Sequence, residues 1–265
     1  MPVEASADSL ERLRPLIAII PAHNEAPAIA RVVGDVCSAR IAGRLAFDRV
    51  IVVDNASSDG TADLAAEAGA DIVFEALRGY GAACLAGIKA AGERGALVFI
   101  DGDASVDLAD LTALLAPMTG SAAADLVIGT RPKPDPDAMS LPQRIGNRLA
   151  TALIRLLWRV PVHDLGPFRV IRAERLADLA MRDVAYGWTV EMQIKAWRQG
   201  LHVVEVPVSV RVRIGQSKIS GTVRGVIGAA VGIFSMIGRL WLADRQERRD
   251  RALSPAVPPA RSTLR

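Results

Sequence analysis

Only two of the 265 residues are cysteine, Cys37 and Cys84, and both stand in apolar helical patterns with no Cys-x-x-Cys spacing. That excludes a disulfide framework and a zinc knuckle, and makes a reducing cytoplasm the expected compartment. Lysine occurs four times against 28 arginines, which reads mainly as a genomic composition bias. The opening MPVEASADSLERLRP carries charges where a signal peptide needs an apolar core, so secretion is not expected. Apolar residues are not in short supply. At 51% hydrophobic and 23% charged the chain is neither intrinsically disordered nor a stapled mini-protein. Its length suits one large domain, or one domain with an appendage.

The net charge of +3 is unevenly placed. Residues 244–265 hold six arginines (245, 248, 249, 251, 261 and 265) against Asp244, Glu247 and Asp250, which alone accounts for +3. A neutral body with a basic tail is not the pattern of a nucleic-acid binder, which carries a basic face on the fold itself. The tail reads either as attracted to an anionic membrane surface or as a solvated, disordered end.

Short runs that are apolar throughout alternate with Ala-rich helical patterns. Strands are expected at Leu16–Ile20, Val50–Val53, Ile72–Phe74, Leu97–Ile100, Leu126–Ile128 and Val203–Val206. Helices are expected near 27–40, 60–68, 80–93, 107–116, 142–157 and 188–199. Uniformly apolar strands in βαβα order imply an α/β fold, with a mostly parallel central sheet covered by helices on both faces. Ligands then collect at the carboxyl ends of the strands.

Four successive strand ends carry polar residues. After the first comes Pro21-Ala22-His23-Asn24-Glu25, and after the second Asp54-Asn55-Ala56-Ser57-Ser58-Asp59-Gly60-Thr61. Asp101-Gly102-Asp103 follows the fourth, and Gly129-Thr130-Arg131 the fifth. Two carboxylates across a glycine turn can converge on one divalent cation, and all-oxygen ligation favours Mg²⁺ or Mn²⁺. Without GxGxxG after the first strand, a nicotinamide-binding role for Asp54 fails; Asp54 and Asn55 are left to hydrogen-bond a base or ribose. Arg78-Gly79-Tyr80-Gly81 opens a helix where N–H groups and an arginine could meet a diphosphate. Asp59 doubles as a helix cap, as do Ser105 or Asp107.

The ordered set PAHNE, VVDNASSDGT, RGYGAA, IDGDAS, GTR, DLGPFRVIR and YGWTVEMQIKA resembles glycosyltransferase family 2, and within it the dolichyl-phosphate mannose/glucose synthase-like subgroup, over roughly residues 15–220. The resemblance implies a GT-A fold, a nucleotide-diphospho-sugar donor and inversion at the anomeric carbon. Pro21, Ala22, Asn24 and Glu25 then correspond to the first nucleotide-contacting loop. Asp54, with Asn55 beside it, corresponds to the base-binding acid, and Arg78 and Gly79 to a segment next to the nucleotide. Asp101, Gly102 and Asp103 match the metal-binding DxD. Ser105 stands where mannose-phosphate synthases carry Gln, and DLGPFR with WTVEMQ is nearer the glucosyltransferase-like branch. UDP-glucose is therefore the favoured donor and GDP-mannose the alternative.

A departing nucleoside diphosphate gains charge in the transition state, which a cation on Asp101 and Asp103 would offset. A hydroxyl acceptor needs a general base, for which Asp164 and Glu191 are the candidates. A lipid phosphate is already anionic and needs cations instead; Arg131, Arg144, Arg211, Arg213 and Lys218 are available. The favoured expectation is transfer of a hexose to a polyprenyl phosphate. The alternatives are a hydroxyl acceptor, or a non-catalytic nucleotide-sugar-binding or membrane-associated partner protein.

Between Arg224 and Arg239 lie 14 uncharged residues. As a helix they span about 21 Å, short of the roughly 30 Å hydrocarbon core, so a helix lying on the membrane is favoured over one that crosses it. Gly225, Gly228, Gly232 and Ser235 share one face, and Gly228–Gly232 has GxxxG spacing suited to close packing within the chain or in a homodimer. The expected organisation is a flexible 1–14, a GT-A domain at 15–220, an apolar interfacial helix at 221–243 and a disordered basic tail at 244–265. The protein is expected at the cytoplasmic face of the membrane.

Overall fold

A computed structural model describes residues 11–120, 122–132, 139–215 and 223–253. Each apolar run forms a strand. They are β1 (Leu16–Ala22), β4 (Arg49–Asp54), β5 (Asp71–Phe74), β6 (Ala96–Phe99), β7 (Leu126–Thr130) and β9 (Val203–Pro207). Two strands of two residues each, β2 (Arg40–Ile41) and β3 (Arg44–Leu45), pair as a separate antiparallel ribbon. The main sheet runs β5-β4-β1-β6-β8-β7-β9. Its strand β8 (Arg169–Arg172) is antiparallel to both neighbours, and the other pairings are parallel. Strand β8 was not among those expected, because only Val170 and Ile171 stand between two arginines. Even so, Arg169 is fully buried.

The continuous apolar character of β1 has its reason in two-sided cover. Ala18 and Ile20 join one core beneath helix α1 (Ala26–Ser38) and helix α4 (Leu111–Leu115). Ile17 and Ile19 join the opposite core with Phe99 and Trp188, beneath helices α3 (Tyr80–Ala91) and α7 (Trp188–Arg198). Side chains alternate along a strand, so both sets must be apolar. Helix α3 lies so close that a Cβ at Gly87 would sit 2.5 Å from Ile19 Cγ2. This explains its Ala/Gly-rich sequence. Two short helices, α2 (Thr61–Glu67) and α6 (Ala173–Leu179), complete the cover. The last of these was not expected.

A third core joins α5 (Leu141–Trp158), α7 and the final helix α8 (Val223–Leu253) through Ala150, Ile154, Val190, Ile194, Met236, Ile237 and Leu240. Helix α8 runs past the expected end at 243, so residues 244–253 are helical rather than part of a disordered tail. The reason is a set of polar anchors: buried Asp244 accepts from Trp158 Nε1 at 2.5 Å and lies against Arg198, which also pairs with Glu247 at 3.1 Å. Over Gly225–Asp250 the helix is long and apolar enough to cross a bilayer by length and composition. Its Gly228 and Gly232 approach Tyr186 of the same chain, which supplies a partner for the GxxxG face without a second subunit. The N-terminal expectation also changes, since Leu13 is fully buried and Arg14 pairs with Asp48, both inside the stretch expected to be flexible.

Removing the Asp244 carboxylate strands a half-buried indole N–H and a guanidinium. Asp244→Ala should lower unfolding stability by about 1–3 kcal/mol in urea titrations. Glu247→Ala, which removes an exposed partner of the same arginine, should cost less than about 1 kcal/mol.

Candidate active site

Strands β1, β4 and β6 run parallel, and β7 recovers the same direction through antiparallel β8. Their carboxyl ends therefore open on one edge, into a cleft of about 630 Å³. Pro21, Ala22, His23, Glu25, Asn55, Arg78, Gly79, Asp101, Gly102 and Asp103 line it together with Arg131 and Arg213.

Asp101 and Asp103 face the cleft from the turn after β6. Burial first, and the Asp103 charge second, push the Asp101 carboxyl up to about 7, while a 3.2 Å hydrogen bond from Tyr80 Oη works in the opposite direction. Asp103 accepts from Ser105 N at 3.0 Å and pairs with Arg213 at 2.5 Å. The glycine between them is not the left-handed residue of the turn; that is Ala104, at φ 63°. Gly102 instead permits close approach to β1, since a Cβ there would lie 3.3 Å from the Pro21 carbonyl oxygen.

Among the described residues no group of three or more His, Cys, Asp or Glu side chains could hold a metal. The two aspartates nevertheless fit a hard divalent cation. Their donors are all oxygen, their charges repel one another, and the remaining ligands can come from phosphate and water. One of them is now neutralised by an arginine.

Several expected donor contacts are occupied within the protein. Asp54 is buried, accepts from Ser57 N at 3.2 Å and stays out of the cleft wall. Asn24, at φ 52°, accepts from Ser58 N and likewise does not line the cleft. Asn55 does line it, but its side chain latches the next loop, donating to the carbonyls of Glu75 and Leu77 and accepting from Gly79 N. The start of α3 does not offer the expected anion cradle. The N–H groups of Gly81 and Ala82 already donate to Ala185 and Val184, and a Cβ at Gly79 would lie 2.0 Å from the Val184 oxygen. Arg78 remains exposed on the cleft wall.

Neither candidate base is placed to accept a proton. Both oxygens of Asp164 are engaged by Arg131, with Nε and the backbone N–H at 2.8 Å and Nη2 at 2.7 Å. Glu191 is buried away from the cleft and accepts from Arg182 N and Asp183 N while pairing with Lys195. Its role is to clamp the 182–183 backbone. Among the expected phosphate cations, Arg131 and Arg213 line the cleft. Arg144 is exposed on α5 outside it, Arg211 pairs with Asp107 elsewhere, and Lys218 lies outside the described residues.

Part of the lining was not foreseen. Val226, Ala229, Ala230, Ile233 and Phe234 of α8 line the cleft with Tyr186, as do Pro142, Gln143, Gly146 and Asn147 of α5. Tyr80 was also missed as a functional residue. RGYGAA carried the signal, since a tyrosine between two close-packed glycines has nowhere to go but inward. Burial and Asp101 keep its pKa well above the ordinary value, so it remains a hydrogen-bond donor.

A profile of Glycosyl transferase family 2 matches residues 17–179. An uncharacterized glycosyltransferase of Mycobacterium tuberculosis is 40% identical over 190 residues, 71% of this chain and 86% of that one. An undecaprenyl-phosphate mannosyltransferase of Micrococcus luteus is 32% identical over 231 residues, covering 82% and 90%. Among solved structures, glucosyl-3-phosphoglycerate synthase from Mycobacterium tuberculosis, in complex with Mg²⁺ and uridine-diphosphate, superposes with a TM-score of 0.69 at 20% identity, over 87% of this chain and 82% of that one. That likeness bears out the GT-A architecture.

The raised Asp101 carboxyl has a stability consequence. The folded protein keeps to about pH 7 a proton that the unfolded chain, at the ordinary 3.8, has already released. Stability therefore falls as pH rises from about 4 to about 7. In metal-free buffer Asp101→Asn should raise Tm at pH 8 by at least about 2 °C. The gain should shrink toward pH 5, as read by scanning calorimetry at both pH values.

Proposed function

The chain belongs to glycosyl transferase family 2, and from that membership we propose that it moves a hexose from a nucleoside-diphospho-sugar to a polyprenyl phosphate, with inversion. The observation that carries this reading is the mixed lining of one cleft: carboxylates and arginines at the sheet edge together with apolar residues of α8. A prenyl chain fits the apolar residues and its phosphate the cations. The Micrococcus luteus relative is named for transfer to undecaprenyl phosphate, which supports the same acceptor class.

Asp101 and Asp103 would hold a divalent cation, which when bound supplies positive charge to the departing diphosphate. Tyr80 orients Asp101 by donating to it, and Arg213 and Arg78 add cationic hydrogen-bond donors beside the same group. Arg131, fixed by Asp164, is the cation for the acceptor phosphate. That phosphate attacks as an anion and needs no proton removed, which agrees with a site where Asp164 and Glu191 are both committed to other bonds. Val226, Ala230 and Ile233 give the cleft apolar surface that would help to keep water from the donor and favour transfer over hydrolysis. UDP-glucose is favoured by the DLGPFR and WTVEMQ segments and GDP-mannose by the relative's name, so both belong in the assay. Work at the cytoplasmic face of a membrane follows from such an acceptor, with α8 in contact with the lipid.

With radiolabelled donor, Mn²⁺ and a short-chain prenyl phosphate, label should move into the organic phase. Asp103→Ala should lower kcat by at least about 100-fold while the acceptor KM changes little. Ala230→Trp should raise the acceptor KM and leave donor binding unchanged. Equal transfer to the free prenol, or to a soluble sugar, would overturn the acceptor assignment.

A further inference from the structure

The outward face of α5 has no use in anything described so far, and its composition is inverted for a solvated helix face. Leu141, Ile145, Leu149 and Leu156 are 65%, 50%, 57% and 74% exposed, and Ala152 is exposed among them. At 100° per residue these five fall within an arc of about 80°. Ala150 and Ile154, on the other side of the helix, are buried in the third core. Helix α5 is therefore apolar twice over, once toward the protein and once away from it.

Exposed Arg144, Arg148 and Arg155 fall within about 40° of one another along one border of the outer stripe. Arg159 follows at the helix end, and residues 139–159 contain no acidic side chain. Beside α5, helix α8 exposes Ile227 and Val231 at 58% and 62%. Both helices line the cleft, α5 through Pro142, Gln143 and Gly146 and α8 through Val226, Ala229 and Ala230.

We infer that the outer face of α5 seats the enzyme on an anionic bilayer. The helix lies in the interfacial plane, with the leucine stripe in the acyl boundary and the arginine border among the headgroups. The inference rests on the reading that the acceptor is a lipid, and adds that a helix lining the cleft is held against the surface from which that lipid comes. Charge complementarity selects the occupant. A second copy docked through the same face would bring no acidic residue on its α5 to answer these arginines, whereas anionic headgroups do so along the whole border.

The test uses the full chain and sedimentation with phosphatidylcholine vesicles, with and without phosphatidylglycerol. Wild-type protein should sediment preferentially with phosphatidylglycerol vesicles. Ile145→Glu/Leu149→Glu should weaken that binding by about tenfold or more, and Arg148→Glu should lower the preference for anionic lipid by about tenfold or more. In both variants, Tm and transfer to a short-chain prenyl phosphate in vesicle-free solution should match wild type. Unchanged vesicle binding by the double variant would overturn the inference. So would a wild-type dimer that the double variant dissociates while neither binds vesicles. Vesicle binding that follows the stripe, with no transfer to prenyl phosphate in solution, would support the surface and sink the acceptor reading instead.

Discussion

Two carboxylates brought to the end of a buried strand repel each other and lose hydration, and the protein must supply positive charge or keep a proton on one of them. Here it does both. Asp103 is paired with Arg213, and Asp101 is raised to about 7 while accepting from Tyr80. This unfavourable pairing organises the cleft. It gives a role to the half-buried Tyr80 beside it and to Arg213, which the chain delivers after β9. It also gives a divalent cation something to gain on binding, since the ion would replace a partial remedy with a full one.

The segment 182–187 connects that electrostatic centre to the C-terminal helix. Its carbonyls at Val184 and Ala185 receive the N–H groups opening α3. Glu191 holds the N–H groups of Arg182 and Asp183, and Asp183 in turn accepts from Ala185 N and pairs with Arg239 on α8. Tyr186 lies against Gly228 and Gly232 and also lines the cleft. One short loop is therefore shared by the helix carrying Tyr80 and the helix that lends the cleft its apolar residues. Gly228 and Gly232, whose spacing left packing within the chain or in a homodimer open, serve this packing.

Strands β1, β4, β6 and β7 were legible because two-sided burial demands apolar residues along the strand, and those runs stand out from the Ala-rich helices between them. Strand β8 was not, because an arginine at each end hides a two-residue apolar centre. Arg169 tolerates burial only by donating to the carbonyls of Gly166 and Thr189. At the site, sequence gave the residue types that converge but not which of them were already satisfied. Asp101 and Asp103 do reach the cleft. Asn55 and the opening of α3 have their hydrogen bonds spent on neighbouring loops, a matter of tertiary contact that spacing cannot reveal. The glycine of Asp-Gly-Asp was read as a turn residue, yet it answers to close packing on β1, and Ala104 takes the left-handed position.

The commitment of Asp164 to Arg131 bears on the chemistry as a whole. A buried guanidinium is costly unless its fork is matched, and a bidentate carboxylate with a backbone N–H on the same oxygen fixes both groups rigidly. Such an arginine is preorganised to receive a second anion without rearranging, and such an aspartate is a poor base, because protonating it would break the pair. A site built for a hydroxyl acceptor would keep a carboxylate loose and accessible near the sugar. This one has spent its candidate carboxylate on holding a cation in place, which is the economy expected where the nucleophile arrives already charged. The apolar side of the cleft agrees with the same logic: on the proposed lipid acceptor, a phosphate at Arg131 would leave its apolar chain to Val226, Ala230 and Ile233, which line the same cleft.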